Sequence, residues 1–239
     1  MVTLEKNIKS VKNILTSQDI LVFEFSAESG KKFAVIYADG VADKALIGEL
    51  VIKPLKYAPA DCNLTAAKQL LASPEVKDGK KIQDAVKEVS DGNAVLFVDG
   101  EKEFIIIGIK NPPGRSVAEP PTQVAVHGPR EGFTEDIKVN LGLIRKRIKT
   151  EKLQVKMLKT GKKSETAVSI VYIDGVCPAD LPKKIEREIM QNKIDIIPDS
   201  SYIAQFLAQR PRSLFKQCGT SEKPDVFCAK LCEGRVGIV

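Results

Sequence analysis

The sequence has no tryptophan, a single histidine, and aromatic residues at only 5% of its positions. A cofactor cage or base-stacking platform built from rings is not expected from so small a supply. The one histidine, His127, cannot form a His-pair metal site, and in a proline-rich stretch it reads as structural, not as part of a Ser-His-Asp triad. Long apolar runs are also missing. The longest, Phe104 to Ile109, is far short of the roughly 20 residues that cross a bilayer. The start, Met1 to Lys6, lacks the charged-then-apolar pattern of a secretory signal, so the chain as given reads as soluble. Its five cysteines (Cys62, Cys177, Cys218, Cys228, Cys232) are odd in number and scattered, which fits free thiols in a reducing compartment.

With 239 residues, 43% of them hydrophobic and 28% charged, the chain can bury one large core or two small ones. The net charge of +6 is local. From Lys110 to Lys163 there are 13 Lys/Arg against 5 Asp/Glu, so the remainder is close to neutral. A basic stripe suits nucleic acid, anionic lipid or an acidic protein surface. The run Arg145 to Lys149 has no interleaved aromatics and sits beside an apolar face, which disfavours nucleic acid.

An internal repeat is the most informative pattern. Phe33-Ala-Val-Ile-Tyr-Ala-Asp-Gly-Val41 matches Val168-Ser-Ile-Val-Tyr-Ile-Asp-Gly-Val176, 135 residues on (174 − 39). Both are β-rich runs closed by Asp-Gly, a tight-turn dipeptide. Gln69-Leu70-Leu71 then parallels Gln205-Phe206-Leu207, and Val86 to Gly92 parallels Cys228 to Gly234. Three matches in one order favour a duplication. Each lobe reads as strand, strand, three helices, strand, with helices covering one face of a small mixed sheet, an α/β class. In the first lobe Ala94–Val98 turns at Asp99-Gly100 and returns through Glu103 to Ile107. The second stops at Val239, where that turn is due, so the chain reads as the front of a longer protein.

The predicted organisation is a first α/β lobe over 1–110 with an N-terminal helix near Asn7–Leu15. A Pro-rich connector and a basic amphipathic helix fill 111–150, and a second lobe, incomplete at its last strand, fills 151–239. The helix spans Thr134 to Lys149, with Thr134 as its N-cap and Ile137, Leu141, Ile144 and Ile148 in one stripe.

Few constellations carry chemistry. Lys159 to Ser164 lacks the upstream glycine of a phosphate loop and reads as a hairpin turn. Cys218, Cys228 and Cys232 match no common zinc spacing, and buried free thiols are the simpler reading. Glu119, Glu131, Glu135 and Asp136 alternate with basic residues and read as ion-pair partners. No catalytic residue, metal or cofactor is expected.

What remains is the segment carrying Arg115-Ser-Val-Ala-Glu119-Pro, Gly128-Pro-Arg-Glu-Gly-Phe-Thr-Glu135 and Asn140-Leu-Gly-Leu-Ile-Arg-Lys-Arg147. It resembles the signature region of the A subunit of spore nutrient-germinant receptors, the GerA family. The runs Tyr172 to Val176 and Glu233 to Val236 also resemble family patterns. The resemblance implies a two-lobed sensory module on the core side of the spore inner membrane, followed by membrane-spanning helices. Its implied partners are B and C subunits and other A subunits, with nutrient sensing coupled to germination. Arg115, Glu119, Arg130, Glu131, Phe133, Thr134, Glu135, Asn140, Arg145 and Arg147 are the implied partner or interdomain coupling residues. In this reading Arg130 and Glu131 pair across lobes or subunits, and Arg145 and Arg147 meet acidic partners. An alternative is a module that binds a small nutrient molecule between its lobes.

Overall fold

The computed structural model describes residues 4–110, 129–191, 194–208, 213 and 215–239. They form two compact units. One holds 4–110 with Ile148–Glu151; the other holds 129–147 and the described residues from Lys152 on. The prolines at 112, 113, 120 and 121, and His127, Arg115 and Glu119, lie outside the described residues.

In the first unit five antiparallel strands run in the order β1-β2-β4-β5-β3: β1 (Ile20–Ser26), β2 (Lys32–Ala38), β3 (Val76–Gly79), β4 (Ala94–Val98) and β5 (Phe104–Ile107). β2, β4 and β5 are almost wholly apolar because both of their faces are covered. Phe33, Val35, Leu96, Val98, Ile105 and Ile107 face one core with α2 (Lys44–Ile47), a π-helical turn (Gly48–Ile52), α3 (Lys53–Leu55) and α4 (Leu64–Leu70). Ala34, Ile36, Val95, Phe97, Phe104 and Ile106 face the other, with α1 (Leu4–Lys12) and α5 (Ile82–Ser90). The period-two alternation of each strand thus divides one sheet between two helical layers.

The second unit repeats this plan. β6 (Leu153–Thr160), β7 (Thr166–Ile173) and β8 (Gly237–Ile238) form an antiparallel sheet in that order. Val168 and Ile170 face α7 (Leu181–Gln191) and α8 (Ser200–Leu207). On the opposite face α6 (Ile137–Arg147) packs against α9 (Pro224–Cys232), and both lie on β7.

The two units correspond in register at the level of single bonds. Ile20 pairs with Ala38, and Leu153 pairs with Ile173. Asp39 N–H donates to Asp19 C=O at 2.8 Å, and Asp174 N–H to Lys152 C=O at 2.9 Å. Val35 and Ile36 oppose Leu96 and Val95; Ile170 and Val171 oppose Ile238 and Gly237. The ends of α5 and α9 agree too. Gly92 N–H reaches Val89 C=O, and Gly234 N–H reaches Leu231 C=O, both at 3.0 Å and both with positive φ, +92° and +86°.

Two expectations change. Helix 137–147 belongs to the second unit and is not a connector, because it covers that unit's own sheet. It is the counterpart of α1: Leu4, Asn7, Ile8, Val11 and Leu15 take the places of Ile137, Asn140, Leu141, Ile144 and Ile148. The repeat therefore begins with a helix. The short strand β3 adds an element that the sequence pattern does not predict. It is a polar edge strand whose Gly79 lies so close under the Phe104 ring that a Cβ there would sit 2.0 Å from Cε2. The expected turn at Lys159–Ser164 is present between β6 and β7, with Gly161 at φ +85°.

Candidate functional site

The segment from Pro129 to Asp136 leads into α6 and is fixed to the second unit at three places. The first is the helix start. Asp136, not Thr134, is the N-cap: its Oδ1 accepts from Lys138 N–H at 2.7 Å and Val139 N–H at 3.4 Å, while its C=O accepts from Asn140 N–H at 3.0 Å. Thr134 is left to an outer turn, its Oγ1 3.3 Å from Asp136 N–H. Thr134 is drawn out of the cap position by Asn140. That buried carboxamide accepts from Thr134 N–H at 2.7 Å and donates to Thr134 C=O at 2.7 Å.

The second place is Phe133. Its N–H donates to Glu222 C=O at 2.8 Å, and its ring meets Phe227 of α9 edge-to-face with centroids 5.3 Å apart. The third is Glu131. One carboxylate oxygen takes Lys146 Nζ at 2.7 Å and the other takes Arg147 Nη2 at 2.5 Å. Arg147 also donates through Nη1 to Leu143 C=O at 3.1 Å, so its planar fork ties the last turn of α6 to the box. The Lys146 hydrogen bond, with lesser help from Arg147, holds the Glu131 carboxyl below the usual carboxylate range against the opposing effect of burial.

The remaining residues singled out in the sequence separate. Arg130 and Glu135 are exposed. Arg145 is buried, at 2% exposure, because Asn140 to Arg145 form one continuous buried run along α6. It therefore does not lie on an outer face with Lys146, and the basic run does not make a continuous charged surface. Glu131 finds its partners within its own unit. Sequence reasoning missed Phe227 and Glu222, which come from distant chain. Asp136, directly ahead of the first helical residue Ile137, was a legible capping signal.

The cysteines do not converge. Cys218 Sγ lies 3.8 Å from Ala204 C=O, Cys228 Sγ lies 4.0 Å from Ile144 C=O, and Cys232 is exposed. Burial pushes the Cys228 thiol up to about 11, which makes it a poor nucleophile at neutral pH. Among the described residues no cluster of three His, Cys, Asp or Glu could hold a metal, and no helix is long and apolar enough to cross a membrane.

The fold of this tandem α/β chain has a counterpart among solved structures. The N-terminal domain of the A subunit of the Bacillus megaterium spore germinant receptor GerK3 has the same fold, with a TM-score of 0.74 at 24% identity, over 99% of this chain and 90% of that one. The chain belongs to the family described as Bacillus/Clostridium GerA spore germination protein, which it matches over residues 6–239. Among its relatives in Bacillus subtilis (strain 168), spore germination protein KA is 33% identical over 99% of this chain and 45% of its own length. The uncharacterized membrane protein YfkQ is 32% identical over 98% and 47%. The chain spans about half the length of these relatives.

Proposed function

We propose that this chain is the N-terminal module of a germinant receptor A subunit and that its box, Pro129 to Asp136, relays the nutrient signal. The observation that carries this reading is the three-point attachment of the box to α6 and α9. Residues that resemble the family's signature serve here to fix one stretch of chain, not to assemble acids, bases and nucleophiles. A stretch held by an ion pair, a two-way amide contact and a ring pair can exist attached or released. A partner that binds one of those states shifts the balance.

In this reading the module does no catalysis. It works with B and C subunits and with other A subunits at the spore inner membrane, on the core side. Arg130 and Glu135, exposed at either end of the attached stretch, offer one charge of each sign to such partners. The test is nutrient-triggered germination of spores carrying Glu131→Ala or Phe133→Ala, with receptor level measured in the same spores. Germination is expected to fail at normal receptor level. Normal germination with both substitutions would leave the box as a local helix-start device and end this reading.

A further inference from the structure

The two units share the register of their first hairpin and of the strand that follows α5 or α9, and they part on the far side of β8. In the first unit β4 is an inner strand, with β2 on one side and β5 on the other, and Leu96 pairs outward with Ile105. In the second, β8 is the last strand of β6-β7-β8 among the described residues. Ser169 and Val239 exchange both backbone hydrogen bonds, at 2.7 and 2.9 Å. In an antiparallel ladder such pairs alternate, so Ile238, opposite Ile170, turns its own N–H and C=O away from β7. That is the side on which β5 meets Leu96 in the first unit. The side chain of Ile238 already packs on the α7–α8 core, so the strand is held in place with one backbone edge facing outward.

An apolar strand with an outward edge is a template for another strand. The relatives of this chain are about twice as long, so they have sequence with which to fill that place. In the first unit the filling segment is the next one in sequence. It is reached through a tight turn at Asp99-Gly100, with Gly100 at φ +85°. We propose that the outward edge of β8 seats a further antiparallel strand supplied by the chain's own continuation beyond Val239, in the position that β5 holds on β4. A short hairpin keeps that segment at high effective concentration, which favours it over a strand from a second copy. Whatever follows then departs from the far end of the added strand. The strand becomes the mechanical lead between this module and the rest of the receptor, a role that does not depend on what the box does.

Amide hydrogen exchange tests this directly, by comparing the 239-residue chain with the full receptor chain in detergent. The Ile238 amide is expected to exchange on the order of a hundredfold more slowly in the full chain. The Gly237 and Val239 amides, which face β7, serve as internal controls and are protected in both. Equal exchange at Ile238 in the two samples overturns the proposal. So does protection in the short chain that rises with protein concentration, because a second copy would then be the occupant.

Discussion

Asn140 grips Thr134 from both directions, its Oδ1 accepting from the threonine N–H and its Nδ2 donating to the threonine C=O, each at 2.7 Å. Asn140→Ala leaves two half-buried backbone groups without their partner and is expected to cost about 2 kcal/mol. Asn140→Asp keeps the acceptor but sets a carboxylate against a carbonyl, and should cost as much. By contrast Thr134→Ala removes three long contacts of one hydroxyl, to Asp136 N–H, Asp136 C=O and Asn140 Oδ1, about 0.5 kcal/mol, while Asp136→Ala removes the cap, about 1 kcal/mol. Urea unfolding of the four variants checks the order. A larger loss at Thr134 than at Asp136 would restore the threonine as the cap.

Gly92 and Gly234 end equivalent helices but meet different obstacles. A Cβ on Gly92 would come 2.3 Å from Val41 Cγ1, whereas one on Gly234 would come 2.8 Å from Val176 C=O. Both substitutions also force a side chain into positive φ, at about 1–2 kcal/mol each. Trimming Val41 to Ala should recover part of the Gly92→Ala loss. The equivalent Val176→Ala should recover nothing in Gly234→Ala, since a backbone oxygen cannot be trimmed. Melting temperatures of the two single and two double variants decide this.

Ser169 occupies the place that Ala34 holds in the first unit. It is fully buried, and its Oγ has no hydrogen-bond partner among the described residues. A hydroxyl without a partner in an apolar layer is destabilising. Ser169→Ala is expected to raise stability by about 1 kcal/mol. A drop on denaturant titration would mean that the hydroxyl has a partner in the folded chain.

The Glu131 ion pairs carry a pH signature. The carboxyl is held below its ordinary value in the folded chain, so its stabilising effect is complete above the unfolded pKa of about 4.3 and fades as pH falls through the folded value. With the side chain about a third exposed, the effect is about 1 kcal/mol. The stability difference between the parent and Glu131→Gln should therefore be constant from about pH 6 to 8. It should shrink toward zero below about pH 4 and weaken with added salt. A difference that persists in acid would assign the effect to packing, not charge.

Much of this architecture could be read in advance, for local reasons. The Asp-Gly turns after Tyr37 and Tyr172 and the stripe of Ile137, Leu141 and Ile144 depend on neighbours in sequence. The equivalence of α1 and α6 was hidden because the two helices share only part of their pattern: where α1 carries the exposed Lys6 and Lys9, α6 carries the half-buried Val139 and the buried Gly142. β3 carries Lys77 and Asp78 and is a strand only because β5 offers it an edge. Within the box, the charged residues stood out but their partners did not. Phe227 meets Phe133 through packing across the unit, and Arg145 is buried by a helix covered more widely than its stripe suggests.

The order in which strands join each sheet has a consequence for synthesis. β2 closes with β1 across a short turn, but its other neighbour, β4, is made only after α2 to α5 have been added. β7 likewise waits for β8 until Ile238 and Val239 exist. On a ribosome the first sheet can close while the second unit is still being translated. The second holds only its hairpin and loose helices until those last residues clear the exit tunnel. Throughout that interval the inner edge of β7, Ser169 to Val171, is open to other nascent chains, and a translational pause inside α9 would lengthen the exposure.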